Sequence, residues 1–321
     1  MGKLHPMPEN FSAENERSIS RFKRSIRLSP GQFSLIFFHC NFRSLREEIA
    51  QKLQEDVTLE LTELNLPYSC PTLYGAIADF LNPDHPPKAL IISGLELVKD
   101  LKRVLTSANK ARDQFRKDFS FPIVLWVTDK ILYHLGRIAN DLNTWAGASI
   151  CFDLSPEQLI ILLRQEANNA FSNNPNYTGK NLDELEYIYQ GLQKLEPQLT
   201  AEEKAILVFL YGFVNYQKNK LDAAIDNYQK SLEFWPENNR DFEAGIICVK
   251  IAQIYEKKAE NKRVQNQQFW QESKKYLEKS LLYFESINNQ ELQAYAISQL
   301  GVFLRRLQAW DDLEKLGKKG L

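Results

Sequence analysis

Arg43 and Arg46 stand where an anion could be held. They follow the unbroken apolar run Phe33–Cys40 (FSLIFFHC), which reads as a buried strand, and they flank the start of a helix expected over Leu45–Leu53. A helix start presents free N–H groups and favours negative charge, so strand, tight turn and helix in that order make a natural phosphate corner. A loop built to cradle nucleotide phosphates would read Gly-x-x-x-x-Gly-Lys-Ser/Thr, with the lysine on the outer phosphates. This turn reads Asn41-Phe42-Arg43-Ser44-Leu45-Arg46, with neither glycine nor lysine. Phosphoryl chemistry also needs an acid for Mg²⁺, and that acid would follow the apolar strand expected over Ala89–Ile92. The chain has Ser93-Gly94-Leu95-Glu96 there. Glu96 comes late, where the first turn of a following helix would favour an acid through its dipole alone. Two readings stay open for Arg43, Arg46 and Glu96: a vestigial corner that still holds a nucleotide or another phosphate, or solvated side chains without such a role. Hydrolysis is not expected in the preferred reading, and a corner that still holds a nucleotide would be non-hydrolysing or weakly hydrolysing.

Other reactive residues form no constellation. His39 and Cys40 are neighbours on a strand, so they point to opposite faces and cannot readily act as a base and nucleophile. Structural packing is the preferred reading. The histidines (His5, His39, His85, His134) lack metal-ligand spacing, and no zinc pattern or nucleophile elbow is present. No metal, cofactor or catalytic residue is expected. The four cysteines, Cys40, Cys70, Cys151 and Cys248, are far apart in the chain and read as reduced thiols of a cytoplasmic protein.

The elements that must position these residues follow two periodicities. Up to about residue 154, short apolar strands alternate with amphipathic helices, the pattern of a parallel α/β sheet. Strands are expected near Ser34–His39, Val57–Leu61, Ala89–Ile92, Ile123–Val127 and Ile150–Phe152, with helices near Leu45–Leu53, Thr72–Phe80, Leu97–Lys117 and Asp129–Leu135. From Pro156 onward only helix-length amphipathic segments occur, and the polar stretch Ser172–Lys180 reads as a loop between the first two. Ahead of the sheet, Arg17–Arg27 (RSISRFKRSIR) sets Arg17, Arg21, Lys23, Arg24 and Arg27 around Ile19, Phe22 and Ile26 at helical spacing. Such a basic amphipathic helix suits nucleic acid or an anionic membrane. Docking of its apolar stripe on the sheet is preferred, because Glu9, Glu14 and Glu16 dilute the positive field. The division expected is therefore an N-terminal extension over 1–30, an α/β domain over 31–154 and a helical domain over 155–321.

The helical half resembles tetratricopeptide repeats, in which small residues let paired helices approach closely. In Ala205–Pro236 the small residues are Gly212 and Ala224, with Tyr211, Leu221, Tyr228 and Leu232 as the bulky ones and Asn215 in place of an aromatic. A second unit has Cys248, Ile251, Ala252 and Tyr255, then Trp270, Ser273, Leu277 and Ser280, with an insertion over Glu260–Gln268 between its helices. A third has Ile297, Leu300, Gly301 and Leu304, then Trp310 and Leu313; Leu185, Tyr189, Leu192 and Pro197 hint at an earlier, incomplete one. The resemblance implies a groove lined by the first helix of each pair. Its expected lining is Phe209, Phe213, Tyr216 and Gln217, then Gln253, Glu256 and Lys257, then Val302, Arg305 and Arg306, with packing of Phe209 and Phe213 against the preceding helices as an equally weighted alternative. An aromatic end beside a basic end suits a peptide with an apolar anchor and an acidic tail.

Within the α/β half, Asn109, Arg112 and Phe115, then Pro122-Ile123-Val124-Leu125-Trp126, then Leu132, Leu135, Ala139, Asp141 and Trp145 carry a second resemblance. They resemble inactive or degenerate STAND-type (AAA-like) NTPase domains that precede tetratricopeptide repeats in bacterial signalling and conflict proteins. The fold class implied is a P-loop-NTPase-like, ASCE-like parallel α/β sheet without its P-loop, followed by an all-α tetratricopeptide-like repeat domain.

Composition adds bounds. A chain of 321 residues accommodates two cores, and a net charge of −1 exerts no global pull on nucleic acid or membrane. No apolar run approaches the roughly 20 residues that span a bilayer, and the N-terminus has no secretory h-region. The Met-Gly start is discounted as a myristoylation signal because Pro6 stands where Ser or Thr is wanted. The resulting expectation is a cytoplasmic, non-enzymatic adaptor that binds a partner protein and possesses scope for self-association. A nucleotide-binding switch and a nucleic-acid binder acting through 17–27 are the alternatives.

Overall fold

The computed structural model describes residues 11–28, 30–56, 59–82, 84–171, 182–195, 198–235, 240–261, 266–306 and 308–319. The chain divides into two compact units, Met1–Ser155 and Pro156–Leu321.

The first unit is built on a parallel sheet of β1 (Ser34–His39), β2 (Leu61–Asn65), β3 (Ala89–Ser93), β4 (Pro122–Val127) and β5 (Ile150–Cys151), in the order β2-β3-β4-β1-β5. Strand β4 is buried along its whole length, as a central parallel strand covered on both faces must be. The step from β1 to β2 crosses the sheet one way, and the later steps return the other way. Right-handed crossovers therefore place helices on both faces. On one face Leu35, Phe37, Ile92, Leu125 and Val127 share a core with Ile77 of α3 (Leu73–Phe80), Val104 of α4 (Leu101–Lys110), Phe115 of α5 (Arg112–Asp118), Leu135 of α6 (Asp129–Ile138) and Leu142 of α7 (Asn140–Trp145).

The opposite face carries α1 (Ala13–Leu28). Ile19, Phe22 and Ile26 recur at i, i+3 and i+7, so they form one stripe, and all three are buried. Phe22 meets Phe38 edge-on at 4.6 Å, and Phe38 in turn meets Trp126 and Phe152 at 4.9 and 5.1 Å. Asn15 fastens the helix to the end of the sheet: its amide donates to the Asp153 carbonyl (2.9 Å) and accepts from the Asp153 N–H (3.1 Å). The basic helix is thus a packed element, as the preferred reading of its stripe expected.

Three sequence expectations need correction in this unit. The strand expected over Val57–Leu61 is found at Leu61–Asn65. Glu60 adopts a left-handed conformation (φ 44°), so an extended strand cannot run through it; residues 57 and 58 lie outside the described residues. The helix expected over Leu97–Lys117 is a short 3₁₀ turn at Leu95–Leu97 followed by α4 and α5. Asp100 starts α4 by accepting the Arg103 N–H (2.9 Å), and the break at Ala111 lets Asn109 and Arg112 both reach α7. The helix expected over Asp129–Leu135 continues to Ile138, and α7 follows it.

The second unit is all-helical: α8 (Pro156–Phe171), α9 (Leu182–Gln193), α10 (Ala201–Gln217), α11 (Leu221–Phe234), α12 (Asp241–Asn261), α13 (Asn266–Ser286), α14 (Gln290–Arg306) and α15 (Trp310–Lys319). A capping box starts α10, with Thr200 and Glu203 each accepting the other's N–H. Asn219 and Asn288 take left-handed φ values of 58° and 53° in the turns after α10 and α13, a conformation asparagine tolerates. Close packing explains two glycines: a Cβ on Gly212 would lie 2.8 Å from the Tyr228 ring, and one on Gly245 would lie 2.3 Å from Phe284. Buried Ser231 and Ser273 donate to the carbonyls of Ala205 and Ala252 on the preceding helices. The insertion expected over Glu260–Gln268 is largely helical at both ends, since α12 runs to Asn261 and α13 begins at Asn266. The loop over Ser172–Lys180, Pro197, Pro236 and residues 1–10 lie outside the described residues. No helix among the described residues is long and apolar enough to cross a membrane.

Because Phe22 is fully buried against Phe38, Phe22→Ala is expected to cost about 3–5 kcal/mol of stability. Urea denaturation followed by circular dichroism checks this; a loss under about 1 kcal/mol would mean that α1 is not docked.

Candidate functional site

The turn from β1 to α2 (Arg43–Gln54) is only Cys40-Asn41-Phe42, far shorter than the roughly eight residues of a phosphate-cradling loop. The side chain of Arg46 fills the corner. It is 8% exposed. Its Nε and Nη2 both donate to the Cys40 carbonyl (2.9 and 2.6 Å), and Nη1 donates to Glu96 Oε1 at 2.6 Å. Its guanidinium lies 5.8 Å from the centre of the Trp126 ring. The structure thus brings Arg46 and Glu96 together, but as partners: Glu96 supplies the negative charge that a phosphate would otherwise bring. Arg43 is not part of this group, being largely exposed and donating to Glu47 at 3.0 Å along its own helix.

A second cluster on the same carboxyl edge was not singled out from the sequence. His39 Nε2 pairs with Asp129 Oδ1 (2.7 Å), while Asn41 donates to Asp129 Oδ2 (2.8 Å) and accepts the Asp129 N–H (2.9 Å). The available signal was an acid at the first helical position after β4, facing a turn asparagine after β1. Cys40 faces away from His39 and donates to the Phe42 carbonyl. Burial pushes its thiol up to about 12, so it stays protonated and is a poor nucleophile. Among the described residues no group of His, Cys, Asp and Glu converges to hold a metal ion.

The residues that carry the NTPase-like resemblance have structural contacts. Asn109 accepts the Leu142 N–H at 2.9 Å, and Arg112 donates to Asp141 at 3.0 Å, so both clamp α7 to the α4–α5 junction. Trp126 packs on Phe38, and Trp145 meets Phe33 at 6.1 Å.

In the helical unit, side chains tie α10, α12 and α14 along one face. Lys257 stands 5.0 Å above the Tyr216 ring, Gln253 donates to the Tyr295 hydroxyl at 3.3 Å, and Arg306 donates to Glu260 at 3.1 Å. Gln217, Arg305 and Val302 (40% exposed) are on the surface. Phe209 and Phe213 are not open anchor residues. Phe209 is fully buried, stacked on Phe171 at 4.2 Å and 5.5 Å from Tyr228, and Phe213 is buried as well. Phe209 is a core side chain because Phe171 of α8 supplies an aromatic partner for α10. Glu256 is half-buried, and burial raises its carboxyl above the usual range despite nearby Arg306.

Lys250, which the sequence did not single out, shares a stripe of α12 with Gln253 and Lys257. It is half-buried with no carboxylate in ion-pair distance among the described residues, and burial holds its ammonium below the usual lysine range. On α1, Arg17, Arg21 and Arg24 are exposed and without ion-pair partners among the described residues, whereas Lys23 and Arg27 share Asp56.

No protein-family model matches the chain, and no curated protein matches it in sequence.

The depressed lysine gives a pH signature. Below its folded-state pKa, Lys250 is charged and its desolvation destabilises the fold; the penalty is relieved as pH rises through that value towards the ordinary lysine range. Lys250→Met is therefore expected to melt at or above the wild-type temperature at neutral pH, with its advantage shrinking as the buffer approaches pH ~10. Paired melting curves across that range check this; a variant less stable at neutral pH would contradict it.

Proposed function

We propose that this chain is a non-enzymatic adaptor: the helical unit grips a partner protein, and the α/β unit is an inactive, NTPase-like platform. The observation that carries this reading is the Arg46 guanidinium, already bonded to the Cys40 carbonyl and Glu96 in the corner where a phosphate would be held. The buried Arg46, paired with the partly exposed Glu96, must break that pair before it can meet a nucleotide, and a buried cation that loses its counter-charge is costly.

Two further observations support the finer assignment. The parallel order β2-β3-β4-β1-β5 is consistent with the ASCE-like topology that the STAND-type resemblance implies. The close contacts of Gly212 with Tyr228 and of Ser273 with Ala252 are consistent with tetratricopeptide-like packing. On that basis the protein would serve a bacterial signalling or defence system in the cytoplasm, and it would need neither metal nor cofactor. Nucleic-acid binding through 17–27 has the exposed Arg17, Arg21 and Arg24 in its favour; the docked helix cannot unfold to follow a nucleic acid without uncovering Phe38.

Isothermal titration of the full chain with Mg²⁺ and ATP, ADP or GTP tests the platform reading. No binding heat is expected at micromolar nucleotide. Micromolar affinity that disappears in Arg46→Ala would contradict it and establish a nucleotide switch.

A further inference from the structure

We infer that the outer face formed by α4 and α6 binds single-stranded nucleic acid, with Tyr133 stacking on a base and the surrounding cations holding phosphates. The inference is independent of the adaptor reading and adds a second kind of partner.

Charge is unevenly placed in this part of the chain. Residues 99–145 contain nine Lys and Arg against five Asp and no Glu, a net charge of +4 in a chain that totals −1. Four of those acids are engaged inside the fold. Asp100 caps α4 by accepting the Arg103 N–H, and Asp118 accepts from Tyr74 and Gln114. Asp129 is held by His39 and Asn41, and Asp141 by Arg112 and Asn109. Asp113, exposed on α5, is the exception. Lys99, Lys102, Arg103, Lys110 and Arg137 are all exposed and have no ion-pair partner among the described residues.

The fold gathers these cations around one aromatic ring. Helices α4 and α6 serve the same core face of the sheet and pack against each other. Val104, Leu105 and Ala108 form the buried stripe of α4. Lys102, Arg103 and Lys110 lie on its other side, over about 12 Å of helix. On α6, Ile131 and Leu135 are buried. Tyr133 is two residues from each, hence about 200° around the helix, and it faces outward with 58% exposure. Arg137 bonds the Tyr133 hydroxyl, and its guanidinium lies 5.4 Å from the ring centre. His134 meets the same ring at 5.7 Å in an edge arrangement. The ring is thus held in position while more than half of it stays open, which reduces the ordering cost of a stacking contact.

Cations around an open aromatic ring are what a single strand requires: phosphates meet the charges, and the flat face of a base meets the ring. A duplex keeps its base faces inside the stack and would engage the cations alone. An acidic protein segment offers carboxylates to the cations but no flat base to the ring. Arg17, Arg21 and Arg24 belong to α1 on the opposite face of the sheet, so they are not part of this surface.

Fluorescence anisotropy of the full chain with a labelled DNA strand of ~20 nucleotides, and with its duplex, at about 50 and 200 mM KCl tests the inference. The strand is expected to bind more tightly than the duplex and to weaken as salt rises. The triple variant Lys102→Gln, Arg103→Gln, Lys110→Gln is expected to lose about tenfold or more in affinity and to lower the salt slope by roughly 2. Tyr133→Ala is expected to lose about fivefold or more, whereas Tyr133→Phe, which retains the ring, stays within about twofold. All the altered side chains are exposed, and melting curves verify that each variant is folded. No binding at the lower salt, equal affinity for strand and duplex, or displacement of the strand by an equal concentration of poly-L-glutamate overturns the inference. Binding that survives both the triple variant and Tyr133→Ala also overturns it, and its loss in Arg17→Gln, Arg21→Gln, Arg24→Gln would assign the contact to α1 instead.

Discussion

A buried arginine has five N–H donors, no acceptor and a charge that persists at any physiological pH, so it must be surrounded by acceptors. Arg46 meets that demand by joining elements that are distant in sequence. The Cys40 carbonyl ends β1, Glu96 follows β3, and the Trp126 ring on β4 lies between them in the sheet. The guanidinium thus bridges the carboxyl edge of three adjacent strands. That edge, at the point where the crossovers change direction, is where open α/β sheets place their ligands. Here the crevice holds the protein's own ion pair, and beside it Asn41 and His39 close on Asp129. The short turn Cys40-Asn41-Phe42 and the self-bonded arginine belong together: a longer, glycine-rich turn would leave the Cys40 carbonyl out of reach of α2.

The sheet was legible in the sequence because continuous apolar runs such as LIFF and IVLWV have few other places to go. The apolar stripe of α1 was legible for the same reason, as Ile19, Phe22 and Ile26 repeat at a helical period. Failures came where tertiary contacts overruled local pattern. Val57 and Thr58 favour a strand by type, yet the left-handed turn at Glu60 moves β2 on to Leu61. The long helix expected through Lys117 breaks at Ala111, where Asn109 and Arg112 bind α7. Phe209 fits a groove position by its spacing but is covered because Phe171 stacks on it from α8, and Phe213 is buried as well.

The corner was half legible. Its residues Arg46 and Glu96 were named from position alone, but no spacing rule pairs residues 50 apart, so their mutual bond was out of reach. Lys250 was missed for a related reason: desolvation depends on neighbours in space, and a lysine in a helical pattern reads as solvated. The two units then present opposite electrostatic situations. In the α/β unit a cation is buried with its counter-charge supplied from within, which favours a fixed edge. In the helical unit Lys250 is half-buried with no carboxylate in ion-pair distance among the described residues.

A double-mutant cycle on Arg46 and Glu96 tests most directly whether the internal pair holds the corner. Denaturation of the wild type, Arg46→Met, Glu96→Gln and the double variant gives the coupling free energy. The account predicts a loss of about 1–3 kcal/mol for Arg46→Met, which leaves the Cys40 carbonyl and the partly exposed Glu96 without their donor, with a coupling of at least about 1 kcal/mol between the two sites. Additive effects and an Arg46→Met variant as stable as the wild type would contradict it.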